Sequence, residues 1–153
     1  MKHFNSILIL LVLCLTACSS SESGAPATPA AKEIEGSYTG TLAASVMNSE
    51  SLYESMTLTV TATDDATVSV VTPSFGTPPM QMPSITIEGV KVAGEDGTYV
   101  LDTTKFSQES GGKKCSGTLE GAFADGKLTI SFSLHYGAMP MPIICSFTAP
   151  KDK

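Results

Sequence analysis

From Gly36 onward, apolar and polar side chains alternate with a period of two. Met56, Leu58 and Val60 oppose Thr57, Thr59 and Thr61, while Leu119 and Phe123 share a face, as do Leu128, Ile130, Phe132 and Leu134. Thr118, Glu120, Thr129, Ser131 and Ser133 point the other way. Such alternation buries one side of a strand and wets the other. It predicts strands over 36–46, 51–62, 67–72, 84–93, 98–106, 113–123, 127–136 and 143–149, with no helix. Glycine and aspartate supply turn conformations at Thr63-Asp64-Asp65-Ala66, Gly94-Glu95-Asp96-Gly97 and Ala124-Asp125-Gly126.

One segment changes phase. Ile85 and Ile87 have one parity and Val90 and Val92 the other, with Glu88-Gly89 between them. A β-bulge at that pair returns both sets to the interior. Eight short strands with one apolar face either close into a barrel, which removes exposed edges, or split into a sandwich. The expected fold is all-β, an eight-stranded antiparallel up-and-down barrel.

Gly36-Ser37-Tyr38-Thr39-Gly40, Met82-Pro83-Ser84-Ile85-Thr86-Ile87-Glu88-Gly89-Val90 after a proline-rich loop, and Gly126-Lys127-Leu128-Thr129-Ile130 resemble the calycin-like β-barrel lipoproteins. Gly36-Ser37-Tyr38 is also similar to the Gly-x-Trp element that opens lipocalin barrels, with tyrosine in the place of tryptophan. The resemblance spans most of 33–149 and implies an exported barrel. It carries strands and turns rather than reactive groups.

The chain starts with Lys2 and an apolar run, Ile7 to Leu15, that ends in small residues. That is a signal-peptide pattern, too short for the roughly 20 apolar residues a membrane-spanning helix needs. Leu15-Thr16-Ala17-Cys18 resembles the lipobox of bacterial lipoproteins, which implies cleavage before Cys18 and lipid attachment to it. By the same resemblance, Ser19 in place of aspartate implies sorting to the outer membrane. The organisation expected is a signal peptide over 1–17, a lipidated cysteine and Ser/Ala/Pro-rich tether over 18–33, and the barrel over 34–150. The tether has too little apolar surface to offset the entropy of ordering it.

Composition narrows the chemistry. The chain has nine basic residues and 15 acidic ones, a net charge of −6, and its basic residues are all lysine. Without arginine or a positive field, nucleic acid is excluded as a partner. The exported part holds one histidine, His135, whose parity points outward with Ser131 and Ser133, and no motif sets a nucleophile beside a base. No enzyme, cofactor or metal site is expected. Cys115 and Cys145 share inward parity. In an exported protein two cysteines suggest a disulfide, but if Phe123 pairs with Leu128, Cys115 falls opposite Tyr136 and Cys145 near Phe132 or Leu134 on the strand beyond. Strands two apart are roughly 9.6 Å distant, against about 7 Å for bridged Cα atoms, so buried free thiols stand as the alternative.

Two methionine-proline loops, Pro78-Pro79-Met80-Gln81-Met82-Pro83 and Met139-Pro140-Met141-Pro142, follow the third and seventh strands and so fall at the same end of a meander. Methionine is pliable and polarizable. These residues either line the mouth of an apolar cavity or plug it. Candidate ligand-binding positions are Tyr38, Met56, Phe75, Met80, Met82, Phe132, Tyr136, Met139 and Met141; a Cu(I) site from the thioethers with His135 or Cys145 is a narrower variant. Two functions follow. One is a membrane-anchored carrier of a small hydrophobic ligand; the other is an interaction or structural module of an envelope protein assembly, with a filled barrel. Eight strands leave room for a ligand or for side chains, not both.

Overall fold

The computed structural model describes residues 28–153. The signal segment, Cys18 and most of the tether expected from sequence lie outside the described residues. The alternating segments form eight strands: β1 (Gly36–Val46), β2 (Ser49–Asp64), β3 (Thr67–Val71), β4 (Thr86–Glu95), β5 (Thr98–Ser110), β6 (Lys113–Ala124), β7 (Lys127–Tyr136) and β8 (Ile143–Pro150). Each pairs antiparallel with the next, and β8 returns to β1, closing the barrel. This is the architecture that the period-two pattern implies. The turns after β2, β4 and β6 share the lower end with both described termini, and those after β1, β3, β5 and β7 form the upper end.

The phase change in β4 is a bulge. Val68 pairs with Val90 but Val70 pairs with Ile87, so Glu88 and Gly89 face one residue of β3. Gly89 supplies the left-handed backbone at φ 72°, which glycine adopts without steric cost. As a result Ile85, Ile87, Val90 and Val92 are all buried. A second bulge lies in β2, where Gly40 pairs with Met56 and Leu42 with Tyr53. Glu54 and Ser55 both turn outward there, with Ser55 at φ 56°.

Inward side chains fill the barrel. Leu42, Leu58, Val68, Val70, Val90, Leu119, Leu128, Ile130 and Phe147 are each 0 % exposed, so no water-sized void touches them. Gly117 lets the neighbouring strands β6 and β7 lie close: a Cβ there would run into the Ser133 carbonyl oxygen. Close packing of this kind matches ordinary protein interiors.

The structure corrects the expectation that there is no helix. Pro29 stands at the N-cap of α1 (Ala30–Ile34), its carbonyl accepting from the Lys32 and Glu33 amides at 2.9 and 3.1 Å. The last four residues assigned to the tether are therefore wound and docked. Ala31 and Ile34, one turn apart, are 0 % exposed against the lower end of the barrel; burying Ile34 contributes about 2 kcal/mol. The Tyr38 hydroxyl donates to the Ile34 carbonyl at 2.6 Å, satisfying one of the carbonyls that a helix C-terminus leaves without an internal partner. Glu35 accepts from the Ala62 amide at 2.8 Å and from Lys32 Nζ at 3.3 Å. Its carboxyl is held below the ordinary value of 4.5, first by the Ala62 amide and then by Lys32. The C-terminus closes the same end: Lys151 Nζ donates to the Glu33 carbonyl at 3.0 Å, and Asp152 accepts from the Thr39 amide and hydroxyl.

Candidate functional site

The two methionine-proline loops do share the upper end, because β3 and β7 run in the same direction. The first is built on its neck. The Thr72 amide donates to the Ile85 carbonyl at 2.9 Å, Ser84 Oγ donates to the Thr72 carbonyl at 2.6 Å, and the Ile85 amide donates to the Thr72 hydroxyl. Further out, Phe75 and Met82 exchange backbone hydrogen bonds at 3.1 and 2.8 Å. This pairing turns both side chains into the barrel end, where they are buried, and leaves Met80 at the tip 56 % exposed. The Phe75 and Tyr53 rings meet at 5.6 Å between centroids.

Between this loop and the top of β1 and β2 lies a recess of about 150 Å³ lined by Ala44, Val46, Ser49, Ser51, Tyr53, Phe75, Met80, Met82 and Ile143. Drug-sized ligands occupy clefts of about 300–1,000 Å³, so this one admits a single side chain or a few carbons. Larger hollows lie outside the barrel. One of about 370 Å³ runs over β5, β6 and β7 between Asp102, Glu120 and Ser131, and one of about 500 Å³ lies by Glu33, Glu95 and Asp96. The first is a groove open to solvent, and the second is a hollow about as enclosed as the recess; both carry polar side chains.

Of the candidate ligand-binding residues, the structure brings Phe75, Met80 and Met82 together at the recess. Tyr136, Met139 and Met141 lie at the same end by the second loop. Tyr136 is half-buried with Lys113 Nζ 5.4 Å from its ring centre, a cation–π geometry; Met139 is half-buried against the core and Met141 is exposed. Three positions fall elsewhere. Tyr38 belongs to the lower end, under α1 and edge-on to Phe123 at 6.3 Å. Phe132 is buried in mid-barrel opposite Leu119 and Cys145. Met56 is half-buried on β2 opposite Gly40. Parity placed these side chains inward correctly, but it carries no information about height along the barrel.

Cys115 pairs with Tyr136 and Cys145 with Phe132, on opposite sides of β7. Both are buried and free, in line with the strand-spacing argument rather than with a disulfide: β7 stands between them. Burial pushes the Cys145 thiol up to about 12 and raises Cys115, so neither is a thiolate nucleophile at neutral pH. His135 is exposed on the outer wall opposite Ser116, with parity opposite to that of the inward Cys145. Among the described residues no group of three or more His, Cys, Asp or Glu side chains is arranged to hold a metal ion, and no helix is long and apolar enough to cross a membrane.

Sequence reasoning passed over the exposed apolar residues Met47, Leu52 and Ile144. Met47 sits in the turn after β1; Leu52 on β2 and Ile144 on β8 flank β1 near its upper end. With Met80 and Met141 they place five of the six large exposed apolar side chains at or near the end opposite α1. The signal was a break in alternation: Met47 lies in a turn, and Leu52 and Ile144 have outward parity.

Residues 34–149 match the model of a family described as Calycin-like beta-barrel domain. Among solved structures, the chain is similar to the crystal structure of a "putative outer membrane protein" from Bacteroides fragilis, with 20% identity and a TM-score of 0.71. The match covers 81% of this chain and 53% of the other, so the chain spans about half the length of that relative. No curated protein matches the sequence.

Proposed function

We propose that this chain, which belongs to the calycin-like β-barrel domain family, is a non-catalytic module of the cell envelope that works through its outer surface and upper end. Anchoring is by lipid on Cys18 after removal of 1–17, on the strength of the Leu15-Thr16-Ala17-Cys18 pattern; one chain alone holds weakly, and several give a stable anchor. Likeness in fold to a Bacteroides fragilis protein described as a "putative outer membrane protein" supports the outer membrane as the site.

The observation that carries this reading is the filling of the barrel. Inward side chains from every strand occupy the space that a carrier of this size keeps for its ligand. Non-catalytic character is supported by the surroundings of the reactive groups: protonated thiols within the core and an exposed histidine on the outer wall. With the interior occupied, the exposed apolar side chains gathered at or near the upper end are the surface left for recognition.

A second reading rests on the recess beside Tyr53, Phe75 and Met80, which suits the end of a small hydrophobic ligand. Native mass spectrometry of the full-length protein in detergent separates the two. The interaction reading expects the mass of the chain and its N-terminal acyl groups, with no further bound molecule and no thermal shift across a panel of lipids and sterols. A stoichiometric small molecule would overturn it.

A further inference from the structure

β3 is much shorter than β2, and the consequence is an open strand edge. The last residue of β3, Val71, pairs with Thr59, so 49–57 of β2 have only β1 beside them. The loop over 72–85 crosses near the inner side of this segment, through Phe75 and Tyr53, but makes no backbone hydrogen bond to it among the described residues. Of 49–57 only Tyr53 and Met56 are even half-buried; the rest are exposed. At about 3.3 Å per residue this edge is roughly 30 Å long.

We propose that the upper edge of β2 accepts an extended, basic strand of a partner protein by β-augmentation. The inference rests on the reading that the chain works through its upper end. Unpaired backbone groups on a strand edge are a template for another strand. The side chains along it decide which strand is admitted. Glu50, Leu52 and Glu54 point outward and are exposed, and neither carboxylate has an ion-pair partner among the described residues. A strand with lysine or arginine at two positions and an apolar residue between them on the same face meets all three. Toward the barrel, its alternate side chains face the recess lined by Tyr53, Phe75 and Met80.

A second copy of this chain does not satisfy the same edge. Antiparallel self-pairing centred on Leu52 sets Glu50 of each copy against Glu54 of the other, and like charges directly opposite are destabilising. The sign of the charge therefore selects a basic partner and rejects the chain itself.

The test uses the full-length protein in detergent with two synthetic peptides, acetyl-Thr-Lys-Thr-Val-Thr-Lys-Thr-amide and its counterpart with both lysines replaced by glutamate. Amide hydrogen exchange resolved by NMR is expected to show protection at alternate residues of 49–57 with the lysine peptide. The glutamate peptide should bind about tenfold more weakly, the combined effect of two charge pairs. The double variant Glu50→Lys/Glu54→Lys, whose positions are exposed so that the fold is retained, should reverse the preference. No protection with the lysine peptide, equal binding of both peptides, or dimers of the protein protected on this edge would each overturn the proposal. A ligand found within the barrel would instead defeat the wider reading, and the peptide result would stand apart from it.

Discussion

The Tyr38 hydroxyl reaches back four residues to the Ile34 carbonyl at 2.6 Å, tying the first strand of the barrel to the helix that covers its lower end. The ring is 0 % exposed, so neither partner has water as a substitute. Tyr38→Phe keeps the ring and leaves that carbonyl unpaired, which should cost about 1–3 kcal/mol. Urea denaturation of the variant measures the loss, and amide exchange should accelerate first in Ala30–Ile34. Unchanged stability would show that the bond does not hold the helix.

Stability should fall in strong alkali. Burial raises the Tyr38 phenol from its ordinary 10.0 to about 12 and the Cys145 thiol from 9.0 to about 12. An unfolded chain releases these protons at lower pH than the folded one. The stabilisation is complete below pH 9 and is lost as pH rises, first through Cys145 and then, above 10, through Tyr38. Cys145→Ala should reduce the earlier part of the slope, leaving the share of Cys115, whose thiol burial also raises, in denaturation midpoints measured from pH 8 to 12.

Acid acts on a different group. The Glu35 carboxyl is held below 4.5 by the Ala62 amide and Lys32, so its contribution is present above pH 4.5 and lost as pH falls through the lowered value. Amide exchange in α1 should quicken on acidification before exchange in the strands does, and Glu35→Gln should abolish that difference.

Gly89 isolates a backbone effect. A Cβ there meets nothing within 4 Å, yet φ is +72°. Gly89→Ala should therefore destabilise by about 1 kcal/mol from conformation alone, without a clash. A thermal-denaturation midpoint equal to that of the unaltered protein would mean that the bulge does not need its left-handed residue.

Much of the fold was legible because burial in a meander is a local matter. Leu128, Ile130, Phe132 and Leu134 declare an inward face in the sequence, and the pairing of Cys115 with Tyr136 follows from one tight turn at Asp125-Gly126. The bulge at Glu88–Gly89 was readable for the same reason, since a single extra residue flips parity. What was not legible depended on position along the barrel axis and on lengths. Tyr38 and Phe75 have the same inward sense but serve opposite ends. α1 spans only five residues, too short to show a helical period, and its stability comes from Ala31 and Ile34 docking on the barrel rather than from propensity. The open edge of β2 came from the early end of β3 at Val71, a difference in strand length that alternation does not report.

The packed interior is the premise on which the functional reading turns, and xenon probes it directly, because xenon enters dry apolar cavities within folded proteins. A crystal of the protein under xenon pressure should show no xenon site among Leu58, Leu119, Ile130 and Phe147 in the middle of the barrel. Xenon bound there, or density for a small molecule between these side chains, would contradict the account and restore the barrel as a carrier.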